Sequence, residues 1–324
     1  MSEQAVDVTP VARAAESIRS EVAKAVVGQS QVIDQILAAI LCAGHVLLEG
    51  VPGVGKTLIA RAIAMTLSAD FSRIQFTPDL MPSDVIGTNV FEPSTGKFSL
   101  RRGPIFTGLL LADEINRTPP KTQAALLEAM EERRVTIDGE PHPLQPVFTV
   151  LATQNPIEYE GTYPLPEAQL DRFMFKTIVP YPALETELGV LSRYNAGFRA
   201  LRLEDAGIQP VVTPAEAIGL RHIVAKVTAQ ESMLDYIAKL VRKTRENRSL
   251  TLGASPRASI YLLLGAKAQA ALAGRSFITP DDVKAIAAPI LRHRLILRPE
   301  AEIEGATADR VVESTVADVE VPRQ

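Results

Sequence analysis

The sequence has 324 residues, of which 46% are apolar and 22% are charged, and its formal net charge is −4. This apolar fraction excludes an intrinsically disordered chain, and the length exceeds what one hydrophobic core usually needs, so we expect two domains. Residues 1–180 carry 15 basic against 21 acidic side chains and residues 181–324 carry 19 against 17, so neither half resembles a basic nucleic-acid-binding surface.

Three features of the sequence bear on the compartment. No apolar run reaches the length of a bilayer span, since the best candidates are interrupted by His45 and Lys267. The first residues show no basic segment followed by an apolar stretch, which a secretory signal requires. Cys42 is the single cysteine, so it cannot form an intrachain disulfide. We therefore expect a cytoplasmic protein without a membrane span.

The first half of the sequence alternates between helical and strand-like patterns. Apolar residues at helical spacing predict a helix over 32–41, and a short apolar run over 45–49 predicts a buried strand. A glycine-rich segment follows, and then a helix with an apolar stripe over 58–67. Further strands are expected at Arg73–Thr77, Leu109–Asp113 and Val147–Thr153. This alternation indicates an α/β fold in which helices flank a parallel sheet.

Two further segments look like hairpins that the sheet does not need. Strand-like pieces within Val85–Gly103 flank a turn at Pro93–Gly96. The Asp138-Gly139 pair suits a tight turn after Arg134–Ile137. Both hairpins are therefore predicted to lie on the surface, outside the central sheet.

Helical patterns replace the strands from Tyr181 onward. Ser-Pro or Thr-Pro pairs predict three helix starts, at Thr213, Ser255 and Thr279. We therefore expect an α/β domain over residues 1–180 and a smaller all-α domain over residues 181–324. The stretch from Arg298 to the end is expected to form a short helix and a loose end.

A phosphate-binding loop is the strongest chemical signal. The pattern Gly-x4-Gly-Lys-Thr follows a strand and opens a helix, so that backbone N–H groups and the helix dipole converge on an anion. Lys56 would reach the β- and γ-phosphates of a nucleotide, and Thr57 would offer its hydroxyl to Mg²⁺. The candidate nucleotide-binding residues of this loop are Gly50, Val51, Pro52, Gly53, Val54, Gly55, Lys56, Thr57 and Leu58.

Polar side chains follow two later strands. Asp113 and Glu114 end the apolar run over 109–112, and Asn155 follows the run over 147–152. Ligands of open α/β sheets bind at the carboxyl ends of the strands. Asp113 would hold Mg²⁺ through water, Glu114 would polarise the attacking water, and Asn155 would orient that water or sense the γ-phosphate. A simple Asn-Pro turn is an equally good interpretation of Asn155.

Two arginines are candidates for further roles at the phosphates. Arg172 is either an ion-pair partner of the adjacent Asp171 or an arginine finger that enters a neighbouring subunit's site. Arg257 lies at a predicted helix start two residues past Ser255, where it would report closure of the helical domain on the nucleotide.

These motifs resemble those of the AAA+ ATPases, and among them the MoxR family, over about residues 20–300. The strings that carry the resemblance are Val27-Gly28-Gln29, Gly50–Thr57, Leu111–Arg117, Ala152–Pro156, Leu165–Phe173 and Gly253–Ala258. The resemblance implies an AAA+ core followed by a helical lid, with Mg²⁺-dependent ATP hydrolysis by a homo-oligomeric ring, a hexamer. It also implies chaperone-like maturation or assembly of a protein client, for example one with a von Willebrand factor A domain.

The resemblance assigns roles to single residues as well. By this likeness Val27 and Gly28 lie near the adenine, Asn155 is sensor 1, Arg172 is the finger and Arg257 is sensor 2. The two hairpins would line the axial pore or face the client.

Two of these assignments stay open. Arg117, Arg133 and Arg134 are alternatives to Arg172 as the finger. Arg257 could act on its own subunit's nucleotide or on a neighbour's.

Other functions fit the sequence less well. The ATPase subunit of a metal-chelatase complex shares the mechanism and differs in what the ring acts upon. A nucleic-acid motor is supported only by a basic helix over 239–248. Solvated surface charges explain this helix more simply, so nucleic acid is not an expected partner. A scaffold without hydrolysis disagrees with the intact set of Lys56, Asp113 and Glu114.

Overall fold

A five-stranded parallel sheet forms the centre of the structure, a computed structural model that describes residues 5–156, 161–200 and 202–322. The strands in chain order are β1 (Val46–Glu49), β2 (Phe71–Gln75), β3 (Gly87–Glu92), β4 (Lys97–Arg102), β5 (Leu109–Asp113), β6 (Arg134–Ile137), β7 (Glu140–Pro143), β8 (Thr149–Gln154), β9 (Phe175–Ile178), β10 (Leu250–Leu252) and β11 (Ile296–Leu297). The central sheet has the order β2-β5-β8-β1-β9, and all its neighbours run parallel.

Helices cover both faces of this sheet and make up most of the C-terminal half. They are α1 (Thr9–Val22), α2 (Ser30–Leu41), α3 (Lys56–Thr66), α4 (Pro82–Ile86), α5 (Pro120–Glu132), α6 (Glu167–Leu170), α7 (Leu184–Asn195), α8 (Pro214–Ala225), α9 (Glu231–Arg245), α10 (Pro256–Leu272), α11 (Pro280–Leu291), α12 (Pro299–Ile303) and α13 (Ala308–Asp318). None of the helices in the described ranges is long and apolar enough to cross a membrane.

The sheet separates two apolar clusters. Along β5, Leu109 and Leu111 belong to one cluster, whereas Leu110 and Ala112 belong to the other. This division follows from the two-residue period of a strand, and a strand that is buried on both faces reads as a continuous apolar run. The predicted α/β core is therefore confirmed, with β2 and β8 shifted by one or two residues from the expected bounds.

Both predicted hairpins are present as two-stranded antiparallel sheets. β3 pairs with β4, and β6 pairs with β7. The second turn has positive φ at Asp138 (+49°) and Gly139 (+85°), as a primed turn requires. Asn89 of the first hairpin donates a hydrogen bond to the Asp138 carboxylate at 2.8 Å, so the two hairpins are tied to each other.

The C-terminal half is helical, with two departures from expectation. Thr213 and Thr279 form capping boxes at the starts of α8 and α11. The expectation that strands end at Tyr181 was wrong, because β10 and β11 pair with each other.

The tail also differs from expectation. It holds two helices, α12 and α13, where one short helix was expected, and Val311 and Val312 of α13 are buried in the larger cluster. The last two residues of the expected loose end lie outside the described residues. Because the larger cluster contains side chains from both sides of residue 180, the division of the chain there stays a prediction.

Cys42 directly follows α2. Its thiol donates to the Leu264 carbonyl at 3.2 Å, and burial raises the pKa of this thiol to about 12.

Candidate functional site

A glycine-rich loop joins β1 to α3 at the carboxyl edge of the sheet. A Cβ at Gly50 would lie 2.6 Å from the Val179 carbonyl oxygen, so only glycine fits there. Gly55 takes φ +87° where it precedes α3, in the left-handed region that side chains rarely adopt. Among the described side chains none caps α3, so its first N–H groups and the positive end of its dipole face the loop. The loop therefore offers a site for an anion.

A cleft of about 380 Å³ beside this loop brings together most of the predicted catalytic side chains. Its lining includes Lys56, Thr57, Asp113, Glu114 and Asn155. The ammonium group of Lys56 donates to the Gly50 carbonyl at 2.5 Å. Asn155 is 6% exposed. Residues that are as many as 99 positions apart in the sequence thus converge because β1, β5 and β8 are parallel neighbours.

Thr153 connects the two acidic residues, a role that the sequence did not indicate. Its hydroxyl donates to Asp113 Oδ1 at 2.5 Å and accepts from the backbone N–H of Glu114 at 2.8 Å. Thr153 is the penultimate residue of β8 and is 1% exposed. The hydroxyl therefore fixes the orientation of the Asp113 carboxylate and the backbone that follows it.

The backbone of Glu114 is in a left-handed conformation, with φ +57° and ψ +50°. Such a conformation costs a non-glycine residue roughly 1–2 kcal/mol, and functional sites are where such residues concentrate. The turn directs the chain from β5 into a short 3-10 helix, Ile115–Arg117, and leaves the Glu114 carboxylate at the cleft.

Two side chains of the edge strand β2 contact the same acids. Arg73 donates to Asp113 Oδ2 from Nε at 3.1 Å and from Nη2 at 2.6 Å. Gln75 Nε2 donates to Glu114 Oε2 at 2.7 Å, and Arg117 lies 3.3 Å from the same carboxylate oxygen. A cation next to Asp113 opposes the binding of a second cation there. The contacts from β2 join residues about 40 positions apart in the sequence, so no local pattern predicts them. The only local sign is that Arg73 and Gln75 are two residues apart, which places both side chains on the same face of the strand.

Thr57 and Asp113 are the residues that fit a divalent cation in this cleft. One hydroxyl and one carboxylate suit Mg²⁺, which usually keeps several waters and takes its other ligands from phosphates. The described residues contain no cluster of three or more His, Cys, Asp or Glu side chains that would form a complete protein cage. The donor set is therefore of the type that binds Mg²⁺ together with a nucleotide.

A second cleft, of about 590 Å³, lies on the other side of the loop. Val27 and Leu58 line it together with Pro52, Gly53, Val54 and Gly55, and α7 forms the opposite wall. Gly28 has φ +70°, and a Cβ there would lie 3.0 Å from the Thr186 methyl group. The cleft is thus lined mainly by apolar groups and is continuous with the loop.

Arg172 and Arg257 lie together, but at the opposite edge of the sheet. With Glu131 they line a separate cavity of about 230 Å³. Arg133 also lines this cavity and donates to the Phe148 carbonyl, just before β8, whereas Asn155 follows the end of β8. Since six extended residues span roughly 20 Å, the cavity and the glycine-rich loop are about that far apart. Arg257 therefore does not line a cleft at the loop of its own chain.

The other arginines considered as fingers have different surroundings. Arg117 pairs with Glu114 of its own chain, and Arg134 pairs with Glu132 at 3.2 Å. Arg133 donates to the carbonyl groups of Ala43 and Phe148, and burial lowers its pKa.

His45 is buried beside this arginine cavity. Its Nδ1 accepts from the Val150 N–H at 2.9 Å, so its proton lies on Nε2, which faces the Met130 carbonyl at 3.2 Å. Burial and the nearby Arg133 guanidinium lower the pKa of His45 to about 3. This histidine is therefore a neutral part of the core.

Comparison with known proteins gives consistent matches. Residues 45–175 match the family model described as "ATPase family associated with various cellular activities (AAA)", and residues 242–315 match that of the AAA lid domain. YeaC of Bacillus subtilis is 50% identical over 93% of this chain and 92% of its own length. Chaperone MoxR1 of Mycobacterium tuberculosis is 40% identical, over 94% of this chain and 81% of that protein.

Two further similarities extend over most of the chain. Protein MoxR of Methylorubrum extorquens is 31% identical, with 90% of each chain covered. A solved structure from Cytophaga hutchinsonii is 44% identical, covers 96% of both chains and superposes with a TM-score of 0.88.

Proposed function

Because this chain belongs to the MoxR family of AAA+ ATPases, we propose that it hydrolyses ATP with Mg²⁺ as a ring-forming, chaperone-like enzyme. One observation carries the proposal: Lys56, Asp113, Glu114 and Asn155 share one cleft at the carboxyl edge of the sheet. Such convergence is what phosphoryl transfer requires, since its catalysis consists of positioning and electrostatic stabilisation.

Each side chain of this cleft has a defined part in the proposed reaction. Lys56 and the first N–H groups of α3 would bind the phosphates. Thr57 and Asp113 would hold Mg²⁺, which would supply positive charge next to the phosphate oxygens. Glu114 accepts a proton from the attacking water, and Asn155 donates to that water or to the γ-phosphate. The larger apolar cleft, with Val27 at its wall, receives the adenine and ribose.

We propose that Arg172 and Arg257 act on the nucleotide of a neighbouring subunit. Both lie about one strand length from the loop of their own chain, yet both are accessible, with side-chain exposures of 30% and 38%. We propose a head-to-tail ring in which this edge of one subunit meets the carboxyl edge of the next. Arginine fingers of this kind raise turnover by about 10³–10⁵.

The two linked hairpins are the proposed contact with a protein client. Phe91 and Phe98 form a cross-strand pair with ring centroids 5.4 Å apart, and Phe98 is 72% exposed. An exposed aromatic pair on a hairpin is typical of a protein-binding surface. A relative named as a chaperone supports a protein client, and we propose one with a von Willebrand factor A domain.

The test compares three variants of the full chain. Lys56→Ala should lose ATP binding, measured with a fluorescent ATP analogue, whereas Glu114→Gln should keep it and hydrolyse ATP poorly. Glu132→Gln, which removes an acid outside the cleft, should resemble the wild type in both assays. Normal turnover of Glu114→Gln would overturn its assignment as the base. Proteins that co-purify with Glu114→Gln in the presence of ATP then distinguish a von Willebrand-type client from a chelatase subunit or nucleic acid.

A further inference from the structure

One carboxylate joins the two arginines of the 230 Å³ cavity. Glu131 lies in the last turn of α5, and its two oxygens have different partners. Oε1 accepts from Arg257 Nη2 at 2.9 Å, and Oε2 lies 3.2 Å from Arg172 Nη2. The two arginines are 85 positions apart in the sequence (257 − 172) and come from different structural parts, the approach to β9 and the first turn of α10.

The remaining groups of the cavity do not replace this carboxylate. Of the described residues that line the cavity, Glu131 alone carries an acidic side chain, against the three guanidinium groups of Arg133, Arg172 and Arg257. Asp171 lies outside the lining and is engaged by the buried Arg294 at 2.7 Å, leaving 3.9 Å between its other oxygen and Arg257.

Electrostatics then defines what Glu131 contributes. Without its charge, three cations would face one cavity with no counter-charge in the lining, and the two half-exposed arginines would move apart into solvent. With it, the cluster still carries two surplus positive charges, which suits a phosphate group. Glu131 therefore sets the distance between the two guanidinium groups without cancelling their charge.

We propose that Glu131 is a positioning residue, which pre-arranges Arg172 and Arg257 for joint contact with the γ-phosphate held by the adjacent subunit. This inference rests on the proposed action of both arginines across a subunit interface. It also makes Glu131 one of the links between the α/β core and the C-terminal helices, beside the hydrogen bond from Ser255 to Asp171.

The experiment uses Glu131→Gln, which keeps the side-chain shape, with Glu132→Gln as the matched control on the next residue. We expect Glu131→Gln to lower kcat about 10- to 100-fold, as misplacement of catalytic groups by about 1 Å does. Affinity for the ATP analogue should stay at the value of the control, because Glu131 does not line either cleft at the loop.

Mixing two variants tests whether the defect of Glu131→Gln lies in the subunit that supplies the arginines to its neighbour's nucleotide. Glu131→Gln subunits keep Glu114, and Glu114→Gln subunits keep the arginine arrangement, so about a quarter of the interfaces in an equal mixture regain both in a head-to-tail ring. Hydrolysis should therefore rise above that of either variant. A mixture of Glu131→Gln with Arg172→Ala should show no such gain, because both lack the same element.

Three results would contradict the inference, and they are distinguishable. If Arg172→Ala and Glu114→Gln do not restore hydrolysis on mixing, the proposed action across the interface fails and the inference fails with it. If they do restore it but Glu131→Gln hydrolyses ATP like Glu132→Gln, only the role of Glu131 is overturned. The same holds if Glu131→Gln loses turnover that Glu114→Gln subunits do not restore.

Discussion

Replacement of Thr153 by valine removes the hydroxyl that joins the two acids and changes little else in shape. Two hydrogen bonds are lost, one of them to the Asp113 carboxylate, and the N–H of Glu114 is left without its partner. A hydrogen bond to a charged group contributes about 1.5–3 kcal/mol and an ordinary one about 1 kcal/mol. Because Thr153 is 1% exposed, water cannot fully replace either bond. We therefore expect Thr153→Val to cost about 2–4 kcal/mol of unfolding free energy.

The same strand supplies the control for this prediction. Thr149 is also buried in β8, but its hydroxyl makes one bond, to the Val147 carbonyl, which also accepts from Arg221. Thr149→Val should therefore cost only about 1 kcal/mol. Urea unfolding of both variants measures the difference. Mg²⁺-dependent binding of the ATP analogue should weaken in Thr153→Val and stay unchanged in Thr149→Val. Equal stability of the two variants would refute the assigned role of the Thr153 hydroxyl.

Three further predictions follow from single contacts. Arg73→Gln should lower the Mg²⁺ concentration for half-maximal nucleotide binding about two- to fivefold, because an exposed ion pair is worth up to about 1 kcal/mol, whereas Arg19→Gln should not change it. Gly50→Ala should abolish nucleotide binding, measured by the same titration, since its Cβ would meet the Val179 carbonyl. The lowered pKa of His45 means that the unfolded chain binds a proton which the folded chain does not. The contribution of His45 to stability should thus be complete above about pH 6.5 and fall towards pH 3, by up to about 1.4 kcal/mol per pH unit. The buried His293, whose pKa is also lowered, should add to this fall, and a flat urea midpoint between pH 7 and 5 would contradict the prediction.

The places of the glycine-rich loop and of the two acids could be predicted because their signals are local. A glycine loop between a strand and a helix, and Asp113-Glu114 directly after an apolar run, are patterns within a few residues. The parallel order of the strands then brings them together. The contacts of Thr153 and Arg73 could not be predicted in this way, because each depends on strand register between segments about 40 positions apart.

The position of Arg257 shows a second limit of sequence reasoning. Its helix start was predicted correctly from Ser255-Pro256, yet the Ser255 hydroxyl donates to Asp171 and does not cap the helix. Which edge of the sheet the first turn of α10 contacts depends on the packing of α10 against α9, α11 and the N-terminal helices. Local periodicity carries no information about that packing, so the site of action of Arg257 stayed open.

The thiol of Cys42 has a practical consequence for studying this protein. With a pKa of about 12, it holds on the order of a thousandfold less thiolate near neutral pH than an exposed cysteine. Maleimide dyes react with the thiolate, so they should label Cys42 of the natural chain only very slowly. A second cysteine introduced at an exposed position, such as Ser94 in the first hairpin, would therefore be labelled while Cys42 is not. Distances between dyes on neighbouring subunits of the proposed ring then become measurable with Cys42 left in place.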